Sequence, residues 1–367
     1  MITTFNAQLL NTSVNTAALA NTVGANGQIS YDYETNKLYI HDGFGNKFSS
    51  NLTATIAPPS NQYGSSYGYT VGLSPIGWYT SIQKASLTSD EASTAVGTLV
   101  TGTTIGGNKR AASSSDSYGY VTGGRRASPP SSTSDTIEKY SFTSDGDSSE
   151  VAELTLARYG LTGTQSITNG YASGGVEGPG TTRYNIIEKF PFSSDASATD
   201  VGDLSETVQG SASSASETHG YNMGGSPSSP TPSSSAIRQY SFSSDGPATT
   251  TASLLHMMME GAGTQSETNG YFLHGTAPIN LNPAYSDKIQ KFNFASNTDA
   301  VDVGELVAIK NHGAAYSSQD YGYKAGGGTS TSAGLDTLEK FPFSSDAPSI
   351  DIAELLYNVY AREGSFY

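Results

Sequence analysis

A unit of about 50 residues, written six times in succession, constrains this chain more than any other feature of its sequence. A Gly-Tyr pair recurs at Gly68-Tyr69, Gly119-Tyr120, Gly170-Tyr171, Gly220-Tyr221, Gly270-Tyr271 and Gly322-Tyr323. In most copies a double glycine closes the element, as at Gly123-Gly124, Gly174-Gly175, Gly224-Gly225 and Gly326-Gly327. A second element follows, Ile187-Glu188-Lys189-Phe190-Pro191-Phe192-Ser193-Ser194-Asp195 in one copy. It returns from Ile137, Ile237, Ile289 and Leu338, and in worn form from Ile82. A third element, such as Val201-Gly202-Asp203-Leu204, lies about ten residues further on. A fixed period of this length marks units that bury their faces against one another.

The unit reads as β. In the second element, Glu188, Phe190 and Phe192 alternate with Ile187, Lys189 and Pro191, the period of a strand. Ser-Ser-Asp then supplies a turn, and Leu161 to Ile167 fits a further strand before the next Gly-Tyr pair. Each unit is therefore expected to be a four-stranded antiparallel meander. Bulky residues on both faces require a neighbour on each side, and closing six such sheets into a ring hides their edges. The expected fold is all-β, a six-bladed β-propeller over residues 59–367. Two segments could complete the first blade: the tail from Ala361 to Tyr367, or Gln62 to Ser66.

Composition agrees. Serine and glycine belong to repeated turns, while 23 Tyr and 13 Phe exceed what a disordered chain carries. With no cysteine, disulfides, thiolate metal sites and cysteine nucleophiles are all excluded. A formal net charge of −15 opposes binding to nucleic acid. No stretch of about 20 apolar residues is present to span a bilayer as a helix, and Met1 to Phe5 do not begin a secretory signal.

The repeat resembles that of kelch-type propellers. Spacing, the double glycine, the aromatic of the third strand and a basic residue after the fourth (Arg158, Arg362) are shared. The tryptophan usual in the kelch fourth strand is replaced by Leu154, Leu204 and Leu306. Residues 1–58 lie outside the repeat. Phe5, Leu9, Leu10, Val14 and Ala18 have a loose helical spacing, which predicts a small helix or arm, and residues 27–43 alternate about Glu34-Thr35-Asn36 as a β-hairpin. The hairpin sequence, with Gly27, Ile29, Tyr31, Asp32, Thr35, Asn36, Lys37, Leu38, Tyr39, Asp42 and Gly43, resembles one near the N-terminus of structural proteins of tailed bacteriophages. The repeat wording also resembles phage propeller proteins, notably those of cyanobacteria. The resemblance implies a virion protein assembled in the host cytoplasm. Residues 1–58 would bind other virion proteins, with Phe5, Leu9, Leu10, Tyr31 and Tyr39 as anchoring candidates, and the chain would be a homo-oligomer on the particle.

No constellation in the sequence points to catalysis, a metal or a cofactor. His41, His219, His256, His274 and His312 have no metal-ligand spacing; His219 reads as a turn residue, and His274 replaces a repeat glycine. The recurring Glu138, Glu188 and Glu339 read as inter-blade ties. The connections between the second and third strands differ in every copy, and divergent loops on a repeated scaffold are where binding resides. They supply the ligand-binding candidates Trp78, Tyr79, Arg125, Arg126, Arg183, Tyr184, Tyr285 and Lys288. The expected function is non-enzymatic: a tail fibre, spike or surface decoration that attaches to a host receptor, with surface glycan as the expected ligand. The alternatives are a purely structural component of capsid or tail, and a glycan-degrading enzyme. The enzyme would need paired carboxylates, and these loops hold few acids, among them Glu177, Asp287 and Asp336.

Overall fold

The alternation of the second repeat element produces a strand in all six copies, and the Gly-Tyr element pairs antiparallel with it each time. The computed structural model describes residues 13–14, 29–32, 37–41, 47–50, 64, 66–73, 80–100, 110–125, 133–178, 182–228, 233–276, 285–328, 334–359 and 363–366. They fall into two units, Met1–Ser60 and Asn61–Tyr367. Among the described residues there is no helix.

The second unit is a six-bladed β-propeller. Blades two to six each run in chain order from the innermost strand outwards. Blade two comprises Ala111–Ser114, Tyr118–Thr122, Thr136–Ser141 and Ser149–Glu153, and blade three Thr162–Gln165, Asn169–Ser173, Ile186–Pro191 and Thr199–Asp203. Blades four, five and six begin at Ala212–Ala215, Ala262–Gln265 and Ala314–Ser317. Blade one is composite. Its outer strands are Tyr67–Leu73, Thr80–Ser86 and Thr94–Thr98, but its innermost strand is Glu363–Phe366, from the far end of the chain. Glu363 pairs with Val71 and Phe366 with Gly68, so the C-terminal tail closes the ring. Gly64, in the competing segment, instead donates its N–H to the Ser317 carbonyl of blade six, at 2.7 Å.

One apolar cluster lies at each of the six interfaces. Between blades two and three, Tyr120, Ile137 and Leu154 meet Phe190 and Ala172. In blades two to six the glycine of the Gly-Tyr pair lies under an aromatic ring of the third strand: a methyl on Gly170 would overlap Phe190, and one on Gly322 would overlap Phe341. The third element also has a structural cause. Opposite Ile187/Glu188, and at the same place in the other five blades, the fourth strand carries a β-bulge. A regular strand would point Val201 and Leu204 to opposite faces. The extra residue brings both into one cluster, and likewise Val151 with Leu154 and Val303 with Leu306.

The closing interface inverts the packing of the others. At regular interfaces the innermost strand offers a small residue to an aromatic of the next blade: Ser113 lies close to the site over which Phe190 packs, and Thr164 bonds Tyr240. In blade one the aromatic is replaced by Ala85, and blade six supplies Tyr316 to fill the space, its ring covering Gly68. Burial pushes the Tyr316 phenol well above its ordinary range.

Within the first unit, Ile29–Asp32 pairs antiparallel with Lys37–His41, as the alternation predicts, and Lys47–Ser50 adds a third strand. The helix expected over residues 5–24 lies mostly outside the described residues, as do Phe5, Leu9 and Leu10. Ser13–Val14, within that stretch, is extended and pairs in parallel with Tyr31–Asp32; threonine and asparagine in the surrounding sequence are weak helix formers.

Tyr316→Ala is expected to cost about 3–5 kcal/mol, as for a large aromatic deleted from a core. Adding Ala85→Tyr to Tyr316→Ser restores the regular arrangement and should recover part of that loss. Urea unfolding measures both, and a Tyr316→Ala cost within error of zero would refute the packing argument.

Candidate functional rim

Meander topology places the second-to-third connections and the fourth-to-first connectors on one rim of the ring. The other connections, including the uniform Ser-Ser-Asp turns, lie on the opposite rim. Left-handed backbone shapes the variable rim. Gly174 and Gly175 have φ of 66° and 99°, and Gly224 and Gly225 have 64° and 93°. Most residues are strained at such angles.

A buried polar network lies beneath these turns. Glu188 of blade three accepts from the backbone N–H and hydroxyl of Thr155, where blade two ends, and pairs with the fully buried Arg158 of the connector. Arg158 donates in turn to the Gly174 carbonyl at 2.5 Å. Glu138 takes the N–H of Val100, at 3.1 Å, and pairs with Arg110 at 2.8 Å; Glu339 takes that of Val307, at 2.9 Å, and pairs with Lys310. The repeated glutamate therefore ties the exit of one blade to the next. In blade one Gln83 replaces it and accepts from Ser93 at 3.0 Å; in blade five Gln290 replaces it and Met258 stands where Arg158 does, so there both charges are lost together. In blade four the polarity is exchanged: Arg238 is on the strand and Glu206 in the connector.

On this frame the structure unites some of the candidates. Arg125 places its guanidinium over the Tyr159 ring, 5.5 Å from the centroid. Tyr159 forms a bridge with Val176, Val176 with Arg183, and Arg183 reaches Ser226 of blade four at 3.2 Å. Tyr184 donates to Glu177 at 2.8 Å, and that carboxylate raises the phenol pKa. Arg125, Arg183 and Tyr184 thus share a continuous surface over blades two to four. Lys288 stands apart on blade five, bonded to Glu305 at 2.7 Å and Asp302 at 2.9 Å, which hold its ammonium well above the ordinary range. Two acids already neutralise it, which weakens it as a ligand cation. The backbone of Tyr285 pairs with Thr276. Trp78, Tyr79 and Arg126 lie outside the described residues.

Two contributors were missed in the sequence. Tyr159 lies in a fourth-to-first connector; a meander places these connectors on the variable rim, but the packing of Tyr159 against Arg125 is set by the fold. The residue after each buried leucine is apolar and exposed in four copies (Val100, Leu255, Val307, Leu356) but Thr155 and Ser205 in the other two. Among the described residues, the cavity at the innermost strands is lined by small residues such as Ala112, Gly163, Ser213, Gly263 and Ala315, and by Arg110, which is paired with Glu138.

Fold similarity agrees with this architecture. A solved structure titled "Structure of YjhT" superposes with a TM-score of 0.62 over 82% of this chain and 99% of that one, at 14% sequence identity. The likeness is one of fold alone. No family model matches the chain, and no curated protein matches it.

A second titratable group lies between blades five and six. His274 occupies the glycine position with φ 48° and is fully buried, and Lys324 is fully buried and donates to the Ala325 and Gly326 carbonyls. Desolvation, then the charges of Lys324, Lys310 and His312, holds the His274 imidazole well below its ordinary 6.5. The acids of this interface are already engaged, Glu339 with Lys310 and Glu260 with His312.

Arg158→Met is expected to cost about 3–5 kcal/mol, because Glu188 is left as an unpaired buried charge. Adding Glu188→Gln reproduces the Met258/Gln290 pair of blade five and should restore most of it in the same urea titration. A double variant as unstable as the single would refute the pairing. For His274 the unfolded chain takes up a proton first as pH falls, so stability is whole above about pH 6.5 and declines below it. His274→Gly should flatten that decline between pH 6.5 and about 5, measured by thermal melting; an unchanged slope would assign it to other groups.

Proposed function

We propose that this chain is a kelch-type propeller of a tailed-phage virion, fixed to the particle through residues 1–58 and contacting the host surface through the variable rim. The observation that carries the reading is the contrast between the two rims. One repeats the same turns blade after blade. The other keeps, in most copies, a framework of glycines and buried ion pairs while its loops differ in every copy. A framework held constant beneath divergent loops suits recognition. The arginines, phenols and hydroxyls assembled over blades two to four offer donors and acceptors to a hydroxyl-rich ligand, so host glycan is the favoured receptor. Support for the virion setting comes from the hairpin wording between Gly27 and Gly43. The kelch assignment rests on the double glycines, the third-strand aromatics and Arg158. The protein acts by binding rather than catalysis, and display of many copies multiplies weak single contacts.

The test has two parts. Mass spectrometry of purified particles should find the chain, and its absence would remove the virion role. The full-length protein should also bind cells on which the particle propagates, and Arg125→Ala with Arg183→Ala should weaken that binding about tenfold. Presence in the particle without any cell binding would leave the purely structural role as the correct one.

A further inference from the structure

The uniform rim is not uniform in one respect. The residue before each Gly-Tyr pair is tyrosine in blades six, one and two (Tyr321, Tyr67, Tyr118) but Asn169, His219 and Asn269 in blades three, four and five. Blades six, one and two are consecutive around the closed ring. All three tyrosines are exposed, at 37–38%. A lysine of the same blade lies over each ring: Lys84 at 4.2 Å from Tyr67, Lys139 at 5.0 Å from Tyr118, and Lys340 at 5.4 Å from Tyr321. Each lysine is fixed by an aspartate in the turn of the following blade: Lys84 by Asp145 at 3.1 Å, Lys139 by Asp195 at 2.5 Å, and Lys340 by Asp90 at 2.6 Å. The same unit therefore appears three times at one-blade spacing: an exposed ring, a cation and a partly exposed carboxylate.

Fold maintenance does not require these rings. Tyr118 and Tyr321 take up the same serine-capped turn as Asn169, His219 and Asn269, through Ser115, Ser318, Ser166, Ser216 and Ser266. In blades three and five the asparagine side chain folds back onto Thr168 or Thr268 of its own turn. The Lys–Asp tie also persists without tyrosine, in Lys189–Asp245 and Lys291–Asp346. Tyr118 and Tyr321 are thus an addition to a turn that is complete without them, and Tyr67 follows no such turn because the strand beside it comes from the far end of the chain.

We propose that this arc is a binding site for an extended neutral glycan. An aromatic face attracts the electron-poor C–H face of a sugar ring, and the adjoining ammonium and carboxylate offer a donor and acceptors to its hydroxyls. Three such units in succession suit a chain of sugars rather than a single one. Charge selects the neutral class: each lysine is already compensated, and a net charge of −15 repels polyanionic polymers. The site is on the rim opposite the variable loops and does not depend on them.

Full-length protein is applied to an array of neutral oligosaccharides (glucans, mannans, galactans and N-acetylglucosamine oligomers), and the strongest binder is titrated by calorimetry. Binding is expected. Tyr67→Asn, Tyr118→Asn and Tyr321→Asn together import the residue of blades three and five, so the melting temperature should hold while affinity falls about tenfold or more. Asn169→Tyr with Asn269→Tyr should lengthen the arc and tighten binding, and Arg125→Ala with Arg183→Ala should leave it unchanged. An array without binding, or a triple variant that binds as the parent does, overturns the proposal. So does a triple variant that changes only sedimentation, which would make the arc a contact between copies of the chain.

Discussion

A four-stranded sheet of about 50 residues with apolar side chains on both faces cannot bury either face by itself, and the rest of this structure depends on that constraint. Every blade needs two neighbours, so the ring must close, and closure must reproduce at one interface what the other five achieve within continuous chain. It is made by Glu363–Phe366, which pairs with the strand of Tyr69 after the chain has passed through all the other blades. Interface two-three is built from contacts between consecutive blades, such as Tyr120 with Phe192, whereas the closing interface joins Leu87 to Tyr323. Its loop is the longest of the six and costs about 1 kcal/mol more in closure entropy than a contact between consecutive blades.

The blades were legible in the sequence because three elements recur at one period and because alternation is strict in the third strand. The bulge was not. Val201 and Leu204 are three apart, a spacing that a regular strand sends to opposite faces, and only the extra residue reconciles it with one cluster. The closing strand was left open between two segments, yet the deciding signal was present as a pair of exceptions. Blade one lacks its aromatic at Ala85, and blade six alone has a large residue, Tyr316, at the innermost-strand position where the other blades have serine or threonine. The two are complementary only if blade six packs on blade one, and Tyr316 can cover Gly68 only if the ring is closed.

The candidate rim was legible as variation and illegible as geometry. Divergent loops identified Arg125, Arg183 and Tyr184, but nothing in their spacing shows that Arg183 reaches into the next blade or that Tyr159 supplies the ring beneath Arg125. Lys288 looked like an available cation because its partners, Asp302 and Glu305, are on a strand whose register depends on the bulge. On the opposite rim the repeat itself misled, since uniform turns drew attention away from a side chain that differs between one half of the ring and the other.

Charge within the ring follows a rule that the four-five interface exposes by breaking it. Elsewhere a lysine of one blade meets an aspartate of the next; here Gln239 and Asn297 occupy those places, and the buried pair is replaced by Met258 with Gln290. The partners change together, as they must if each member alone would be an uncompensated group in the interior. What remains at that interface is an extensive apolar cluster, with Met223, Met258, Leu254, Phe272 and Phe292 in contact. Ion pairs and packed hydrocarbon are therefore interchangeable as supports for one geometry. The ties at the other interfaces act chiefly to fix where one blade leaves off and the next begins. A frame set in this way tolerates the loss of any one tie in favour of packing, and so leaves the loops above it free to diverge.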